Sequence, residues 1–317
     1  MLAFENVDIR TLSAAQRAIV RTLLYFDVFA HPLTEEEIAR FSSMPTHQLA
    51  CLSEELRSLC AEGLVHRAGP YFGFGDVAAH ARVRNEENVR AKQRLHKAHR
   101  MSRLIGRFPF VRAVMLSGSI SKGRMAADGD IDYFVITSPD RLWVARTLLI
   151  LFKKIFLLNS RRDFCVNYFV DTAHLTIEDR NLFTATELLT LVPTFNASVC
   201  AAFFAANGWA QEMLPNACVP DPSAAGYAHG PVKRTMERML VNGLGDEIDE
   251  WLMLRTLRHW RHKFAHMESA RFNSAMRTRR YVSKHHPRDF QNRVMTAFEE
   301  RLAAFERDHD TSLGRHG

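Results

Sequence analysis

Residues 111–137 read VRAVMLSGSISKGRMAADGDIDYFVIT, and this stretch decides the fold of the middle of the chain. Its first apolar run ends abruptly in small residues around Gly118, which is typical of a buried strand that ends in a tight turn. A second apolar run begins at the paired aspartates Asp130 and Asp132. We therefore expect a strand, a turn that opens a short helix near Ser119, a loop and a second strand.

The turn has the composition of an anion-binding site. Gly118 has no Cβ, so backbone N–H groups there can approach a bound anion closely. A helix that starts near Ser119 also leaves unpaired N–H donors and the positive end of its dipole at the turn. The sequence therefore predicts that a phosphate group binds here.

The two aspartates have the spacing of metal ligands. Asp130 and Asp132 are two residues apart, so in an extended chain they project from the same face. Two adjacent carboxylates repel each other, and a divalent cation relieves that repulsion. Because Mg²⁺ prefers oxygen ligands and usually keeps waters and substrate phosphates in its shell, the pair beside the turn predicts a metal and nucleoside triphosphate site.

The motif G-S-x-x-x-G followed by D-x-D, here Gly118-Ser119 to Gly123 and then Asp130-Ile131-Asp132, resembles the signature of the DNA polymerase β-like nucleotidyltransferase superfamily. The resemblance implies that Gly118, Ser119 and Gly123 bind the nucleotide and that Asp130 and Asp132 are catalytic and bind Mg²⁺ or Mn²⁺. Lys122 lies inside the motif, and we expect it to bind the nucleotide; either Lys122 or a C-terminal arginine could neutralise further charge there.

One position departs from the family pattern. The superfamily usually carries a third aspartate on the neighbouring strand, which we expect at residues 164–170, and the mid-strand residue here is Asn167. An amide can offer a metal its carbonyl oxygen but takes up no proton near neutral pH, and the loss of a general base typically costs about 10²–10⁴ in rate. Side chains alternate along a strand, so Asp163 and Asp171 are expected on the same face as Asn167, and either could substitute for the missing carboxylate. Alternatively, Asn167 could be a purely structural hydrogen-bonding residue.

The N-terminal part resembles a winged helix. Capping boxes at Ser13 and Thr34 predict helices over 14–29 and 35–43, a third helix is expected over 46–62, and a β-hairpin over 63–74. The second and third helices are net acidic, whereas a DNA-binding surface needs clustered Lys and Arg. We therefore expect a packing or substrate-covering unit rather than a DNA-binding one.

The remaining boundaries follow from shifts in composition. We expect a winged-helix-like domain over 1–80, a connecting helix over 81–107, a nucleotidyltransferase core over 108–175 and a C-terminal helical domain over 176–317. Residues 197–206 are apolar nearly all round and predict a buried helix. The fold class is thus α/β in the broad sense (α+β), with a small mixed sheet in the core.

The segment 255–288 is strongly basic. One interpretation is an electrostatic surface for a triphosphate, an acidic acceptor or RNA; the other is a solvated helix with Trp251, Leu254 and Trp260 packed inward. The basic residues of the segment are Arg255, Arg258, Arg261, Lys263, Arg271, Arg277, Arg279, Arg280, Lys284 and Arg288.

Composition narrows the class of protein. The chain has 317 residues and a formal net charge of +7. Its five cysteines are odd in number and include no C-x-x-C pair, which favours reduced thiols over a disulfide framework or a zinc site. The start of the chain lacks a long apolar core, and residues 142–158 are interrupted by charges, so we expect a cytoplasmic protein without a secretory signal or a membrane partner.

The resemblance to the superfamily implies a metal-dependent nucleotidyltransferase. The expected reaction moves a nucleoside monophosphate from an NTP to an unknown acceptor (a small molecule, a protein or RNA) and releases pyrophosphate. Two alternatives stay open. One is a catalytically weakened, nucleotide-binding regulatory protein, and the other is an RNA-modifying transferase.

Overall fold

The structure is a computed structural model that describes residues 12–160, 162–226, 230–241 and 243–314. Its helices are α1 (Ala14–Asp27), α2 (Glu35–Phe41), α3 (Leu52–Ala61), α4 (Val77–Gly106), α5 (Gly118–Ser121), α6 (Leu142–Phe156), α7 (Leu182–Leu189), α8 (Ala197–Ala206), α9 (Trp209–Met213), α10 (Pro231–Met239), α11 (Gly243–Lys263), α12 (Ser269–Ala275) and α13 (Phe290–Asp308).

The strands are β1 (Leu33–Thr34), β2 (His66–Ala68), β3 (Tyr71–Gly73), β4 (Val111–Ser117), β5 (Asp132–Thr137), β6 (Cys165–Asp171), β7 (Val192–Phe195), β8 (Thr278–Arg279) and β9 (Val282–Lys284). The chain divides into two compact units. The first comprises residues 1–85, 211–218 and 291–317, and the second comprises residues 86–210 and 219–290.

The first unit contains the predicted helices and hairpin. Both capping boxes are confirmed: Ser13 caps α1 with Gln16, and Thr34 caps α2 with Glu37. The third predicted helix is divided, because residues 46–51 form a 3₁₀ helix before α3 begins. Strands β1, β3 and β2 form a three-stranded antiparallel sheet in that order. The likeness to a winged helix stays a prediction.

The second unit is built on a six-stranded mixed sheet in the order β7-β4-β5-β6-β9-β8. The pair β5 and β6 is parallel and the other pairs are antiparallel. The expectation of a mixed α+β fold with a small mixed sheet is therefore confirmed. Strands β7, β8 and β9 come from residues 176–317, where only helices were expected, because runs of two to four residues are too short to show alternation.

The prediction that residues 197–206 form a helix is confirmed, but the prediction that it is buried all round is wrong. In α8 only Cys200, Phe203 and Phe204 are buried, whereas Ala201 and Ala202 are exposed. Alanine occurs readily on either surface of a helix, so an alanine-rich run carries no directional signal. Among the described helices, none has an apolar stretch long enough to cross a membrane.

A buried carboxylate joins two helices of the second unit. Asp249 in α11 is 0% exposed, and its Oδ1 accepts a hydrogen bond from the backbone N–H of Val144 at 2.8 Å. Val144 lies in the first turn of α6, whose own N-cap residue, Arg141, makes no side-chain capping bond. Asp249 therefore satisfies an N-terminal donor of α6 from a neighbouring helix.

This carboxylate predicts a pH-dependent stability. Burial raises the pKa of Asp249 from 3.8 to about 6. A group whose pKa is raised by folding stabilises the fold fully below its unfolded pKa, and that contribution is lost as the pH rises through the folded pKa. We expect Asp249→Asn to gain stability relative to the wild type by roughly 2–3 kcal/mol between pH 4 and pH 7. Urea unfolding of both proteins across this pH range measures the difference in their free energies of unfolding. A difference that does not change with pH would contradict the prediction.

Candidate functional site

The predicted anion-binding turn and the aspartates lie against each other. Strand β4 ends at Ser117, which pairs with Asp132 at the start of β5. Gly118 has a φ of +68°, and a Cβ placed on it would lie 2.6 Å from Oδ2 of Asp132. Only glycine fits this conformation and this spacing without displacing the carboxylate. The backbone of the turn is therefore in direct contact with the second aspartate.

The helix that opens at the turn is a single turn, α5, from Gly118 to Ser121. A helix this short has little macrodipole, so anion binding here would rest on the N–H groups of the turn. Ser119 and Gly123 are both exposed. Gly123 also has a positive φ, +69°, but nothing lies within 4 Å of the position that a Cβ would take.

Asp130, Asp132 and Cys165 form one cluster of possible metal ligands, whose ligating atoms all lie within 4.8 Å of one another. The sheet creates the cluster, because Cys165 at the start of β6 pairs directly with Asp132 across the parallel strands. The two aspartates are half-buried, and Cys165 is 6% exposed.

Asn167 lies beside the same carboxylate. The register of β5 and β6 shifts here: Tyr133 pairs with Val166 and Phe134 pairs with Tyr168, so Asn167 has no direct partner on β5. Its Nδ2 donates hydrogen bonds to Oδ1 of Asp132 at 3.1 Å and to Sγ of Cys165 at 2.9 Å. The structure thus brings Asn167 together with Asp132.

The structure places the two alternative carboxylates elsewhere. Asp163 forms ion pairs with Arg94 and with Lys97, the latter at 2.5 Å. Asp171 is buried and bonds with His174 at 2.8 Å. The register shift reverses the alternation of β6, so Asp171 lies opposite Thr137 and on the other face from Asp132. The prediction that Asp171 could replace the missing carboxylate assumed a regular alternation of side chains, which the bulge in β6 interrupts.

Lys122 is held at the turn by two contacts. Its Nζ donates to the carbonyl oxygen of Gly118 at 3.1 Å and to Oε1 of Glu187 at 2.7 Å. Glu187 lies on α7, and its charge helps to raise the pKa of Asp132. The ammonium group of Lys122, which we expected to face a nucleotide, thus forms an ion pair with Glu187.

The loop before Asp130 is fastened to the long helix α4. The side chain of Arg124 pairs with Glu87 at 2.7 Å, and Nε of Arg90 donates to the carbonyl oxygen of Met125 at 3.0 Å. Glu87 and Arg90 of α4 thus position the loop between the turn and the aspartates.

The electrostatics favour a cation at this site. Burial, followed by the charge of Asp130, raises the pKa of Asp132 to about 7. Burial and the same two carboxylates also raise the pKa of the Cys165 thiol. Negative charge is therefore costly here without a counterion. Carboxylate and amide oxygens are ligands that Mg²⁺ and Mn²⁺ accept, so the chemistry of Asp130, Asp132 and Asn167 fits a divalent cation.

The basic segment 255–288 has two parts, which differ in whether their basic side chains form ion pairs or are exposed. Its later part is paired within the second unit: Arg277 and Lys284 both contact Asp179, and Arg279 contacts Glu178. On α11, in contrast, Arg255, Arg258 and Arg261 are exposed along one face.

The inward packing expected for Trp251, Leu254 and Trp260 is correct for one residue of three. Trp260 is buried, but Trp251 is 56% exposed and lies 5.3 Å from the guanidinium of Arg255, and Leu254 is also exposed. The spacing of these residues did not reveal that the middle of α11 has an exposed face that includes Trp251 and Leu254.

Sequence reasoning missed Cys165 and Glu187. Cys165 joins the cluster only through the register of β6 against β5, which no local spacing predicts. No local signal marks Glu187, because its distance from Lys122 is set by the packing of α7.

Comparison with known proteins identifies no relative: neither a family model, nor a curated protein, nor a solved structure matches this chain.

Proposed function

We propose that the protein is a metal-dependent nucleotidyltransferase. One observation carries the proposal: the carboxylates of Asp130 and Asp132 converge next to a glycine turn whose backbone touches Asp132. A triphosphate on the turn and a cation on the carboxylates would then be neighbours. An acceptor oxygen would bond to the α-phosphorus, while the bond from that phosphorus to the bridging oxygen breaks and pyrophosphate leaves.

The chain's own residues would act mainly by position and charge. Asp130 and Asp132, with the amide of Asn167, would hold Mg²⁺ or Mn²⁺, and such a cation neutralises charge on a triphosphate when bound. The turn from Gly118 to Gly123 would orient the phosphates, and Lys122 would supply a further positive charge. The described residues offer no third carboxylate on β6 beside the pair, so a basic group on the acceptor or elsewhere would have to take its proton.

The test is label transfer from each α-labelled NTP, with Mg²⁺ or Mn²⁺ and with or without cell extract. We expect metal-dependent labelling of one acceptor class and its loss in Asp130→Ala/Asp132→Ala, since that variant lacks both carboxylate ligands. Asp128→Ala is the matched control, because Asp128 is an exposed carboxylate of the same loop. Folded wild-type protein that transfers no label under any condition would contradict the proposal.

The second candidate is a nucleotide-binding regulatory protein, and Asn167 favours it. An amide that bonds to Asp132 in place of a third carboxylate would let the site bind a nucleotide with little turnover. Ultraviolet crosslinking of labelled NTP, without any transfer, is the result expected for this candidate.

RNA is a third candidate, as the acceptor. The exposed arginines of α11 support it, and one of them, Arg255, lies beside the exposed Trp251; phosphates bind clustered arginines and bases stack on aromatic rings. In the labelling experiment this candidate predicts a product that ribonuclease destroys. A ribonuclease-resistant product would exclude it.

A further inference from the structure

The candidate centre contains a sulfur atom that the family pattern does not explain. The signature that the motif resembles is built from carboxylates, whereas here Sγ of Cys165 lies with the oxygens of Asp130 and Asp132 in one cluster. Oxygen and sulfur ligands select different metals. Carboxylates suit Mg²⁺ and Mn²⁺, and thiolates suit softer ions such as Zn²⁺.

The amide of Asn167 shows that two of these atoms point to a common place. Its Nδ2 donates at once to Oδ1 of Asp132 at 3.1 Å and to Sγ of Cys165 at 2.9 Å. A donor NH₂ group carries partial positive charge, so it stands where lone pairs of an oxygen and a sulfur converge. A cation held by Asp132 and Cys165 together would take the place of this NH₂ group.

The side chains of the cluster would have to move closer together to hold a cation, because two ligands of one ion can be no farther apart than the sum of their bond lengths, about 4.5 Å. The cluster's ligating atoms are at most 4.8 Å apart, and zinc sites have metal–sulfur distances of about 2.3 Å and metal–oxygen distances of about 2.0–2.2 Å. The amide of Asn167 would have to withdraw or turn its oxygen inward, and at the end of a side chain either movement is a rotation of one torsion. Backbone pairing of Asp132 with Cys165 would stay unchanged.

We infer that the centre formed by Asp130, Asp132 and Cys165 prefers a thiophilic divalent cation, of the Zn²⁺ class, over Mg²⁺. Binding replaces the S–H bond of Cys165 by a sulfur–metal bond, and the proton passes to solvent. No oxidant or reductant is needed. The inference rests on the proposed function, because it names the kind of cation held by the same aspartates.

Cadmium binding tests this inference without any nucleotide. We expect Cd²⁺ to bind at about one ion per chain and to give a thiolate-to-metal charge-transfer band in the ultraviolet. In Cys165→Ser we expect the band to disappear and the Cd²⁺ affinity to fall by more than about tenfold, a loss comparable to or larger than that of an outer-shell contact. Mg²⁺ affinity should change little, since a hydroxyl oxygen replaces the sulfur.

The control is Cys200→Ser, which alters a buried thiol of α8 whose Sγ contacts the carbonyl oxygen of Phe195. This variant should keep the band and the affinity. Should Cys165→Ser fail to fold, Cys165→Asp provides the second measurement: it should raise the affinity for Mg²⁺ and lower that for Cd²⁺. Unchanged Cd²⁺ affinity and absorption in a folded Cys165 variant would overturn the inference.

The two proposals can fail separately. A Cys165-dependent band in a protein that transfers no label would support the thiophilic centre while contradicting the transferase. Mg²⁺-dependent transfer with no contribution of Cys165 to cation binding would contradict the thiophilic centre alone.

Discussion

Asn167→Asp is expected to raise the rate of metal-dependent nucleotidyl transfer by about 10²–10⁴-fold, which is the usual contribution of a general base. The amide of Asn167 already bonds to Asp132, so an aspartate in its place would put a third carboxylate beside the pair. That carboxylate could take the acceptor's proton, which the amide cannot do. Single-turnover label transfer at saturating Mg²⁺, compared between the two proteins, measures the effect.

The same substitution should have a cost in stability that the metal removes. A third carboxylate next to Asp130 and Asp132 adds repulsion, so we expect the melting temperature of the metal-free variant to be lower than that of the wild type. Mg²⁺ at one fixed, high concentration should stabilise the variant more than the wild type, because the stability added by a ligand that binds only the folded state increases with the logarithm of its affinity.

Asn167→Ala is the control for loss of the amide, since it adds no charge. It should show neither the gain in rate nor the metal-dependent gain in stability. A folded Asn167→Asp protein that binds NTP but transfers label no faster than the wild type would show that the missing carboxylate does not limit the reaction.

Gly118→Ala is expected to disable the site, whereas Gly123→Ala should leave it nearly intact. Both glycines have a positive φ, +68° and +69° respectively, so both substitutions carry backbone strain of about 1–2 kcal/mol. Only at Gly118 would the new Cβ lie 2.6 Å from Oδ2 of Asp132 and force that carboxylate to move. Comparing the two variants therefore separates the effect of backbone strain from the effect of displacing the Asp132 carboxylate.

We therefore expect similar losses of unfolding free energy from strain in the two variants, with an additional loss in Gly118→Ala. Divalent-cation affinity should fall only in Gly118→Ala, and its transfer rate should drop on the order of 10²-fold, as is typical when a reacting group is displaced by about 1 Å. Urea unfolding and cation titration of both variants measure these effects. Equal cation affinities would contradict the contact between the turn and the carboxylate.

Much of the local structure could be predicted from the sequence, because the signals are local. The serine and threonine of the capping boxes, the two apolar runs around Gly118 and the alternation of Asp130 with Asp132 each involve only a few neighbouring residues. Since Asp132 begins β5 directly after the loop, the expected closeness of the turn and the aspartates follows from one antiparallel pairing.

The rest depends on pairing between distant segments. The bulge at Asn167 exists only in the register of β6 against β5, and it decides that Asp171 lies on the other face. Cys165 enters the cluster through the same register, and Glu187 reaches Lys122 through the packing of α7. No window of sequence contains both partners of any of these contacts, so none could be derived from spacing.

The parallel pairing of β5 with β6 also has a consequence for folding kinetics. Asp132 and Cys165 meet only after the intervening helix α6 has crossed from one strand to the other, and such non-local contacts form late. A cation that needs both residues therefore binds a nearly complete sheet. It would slow unfolding while leaving the folding rate almost unchanged, so loading the centre would prolong the lifetime of the native state.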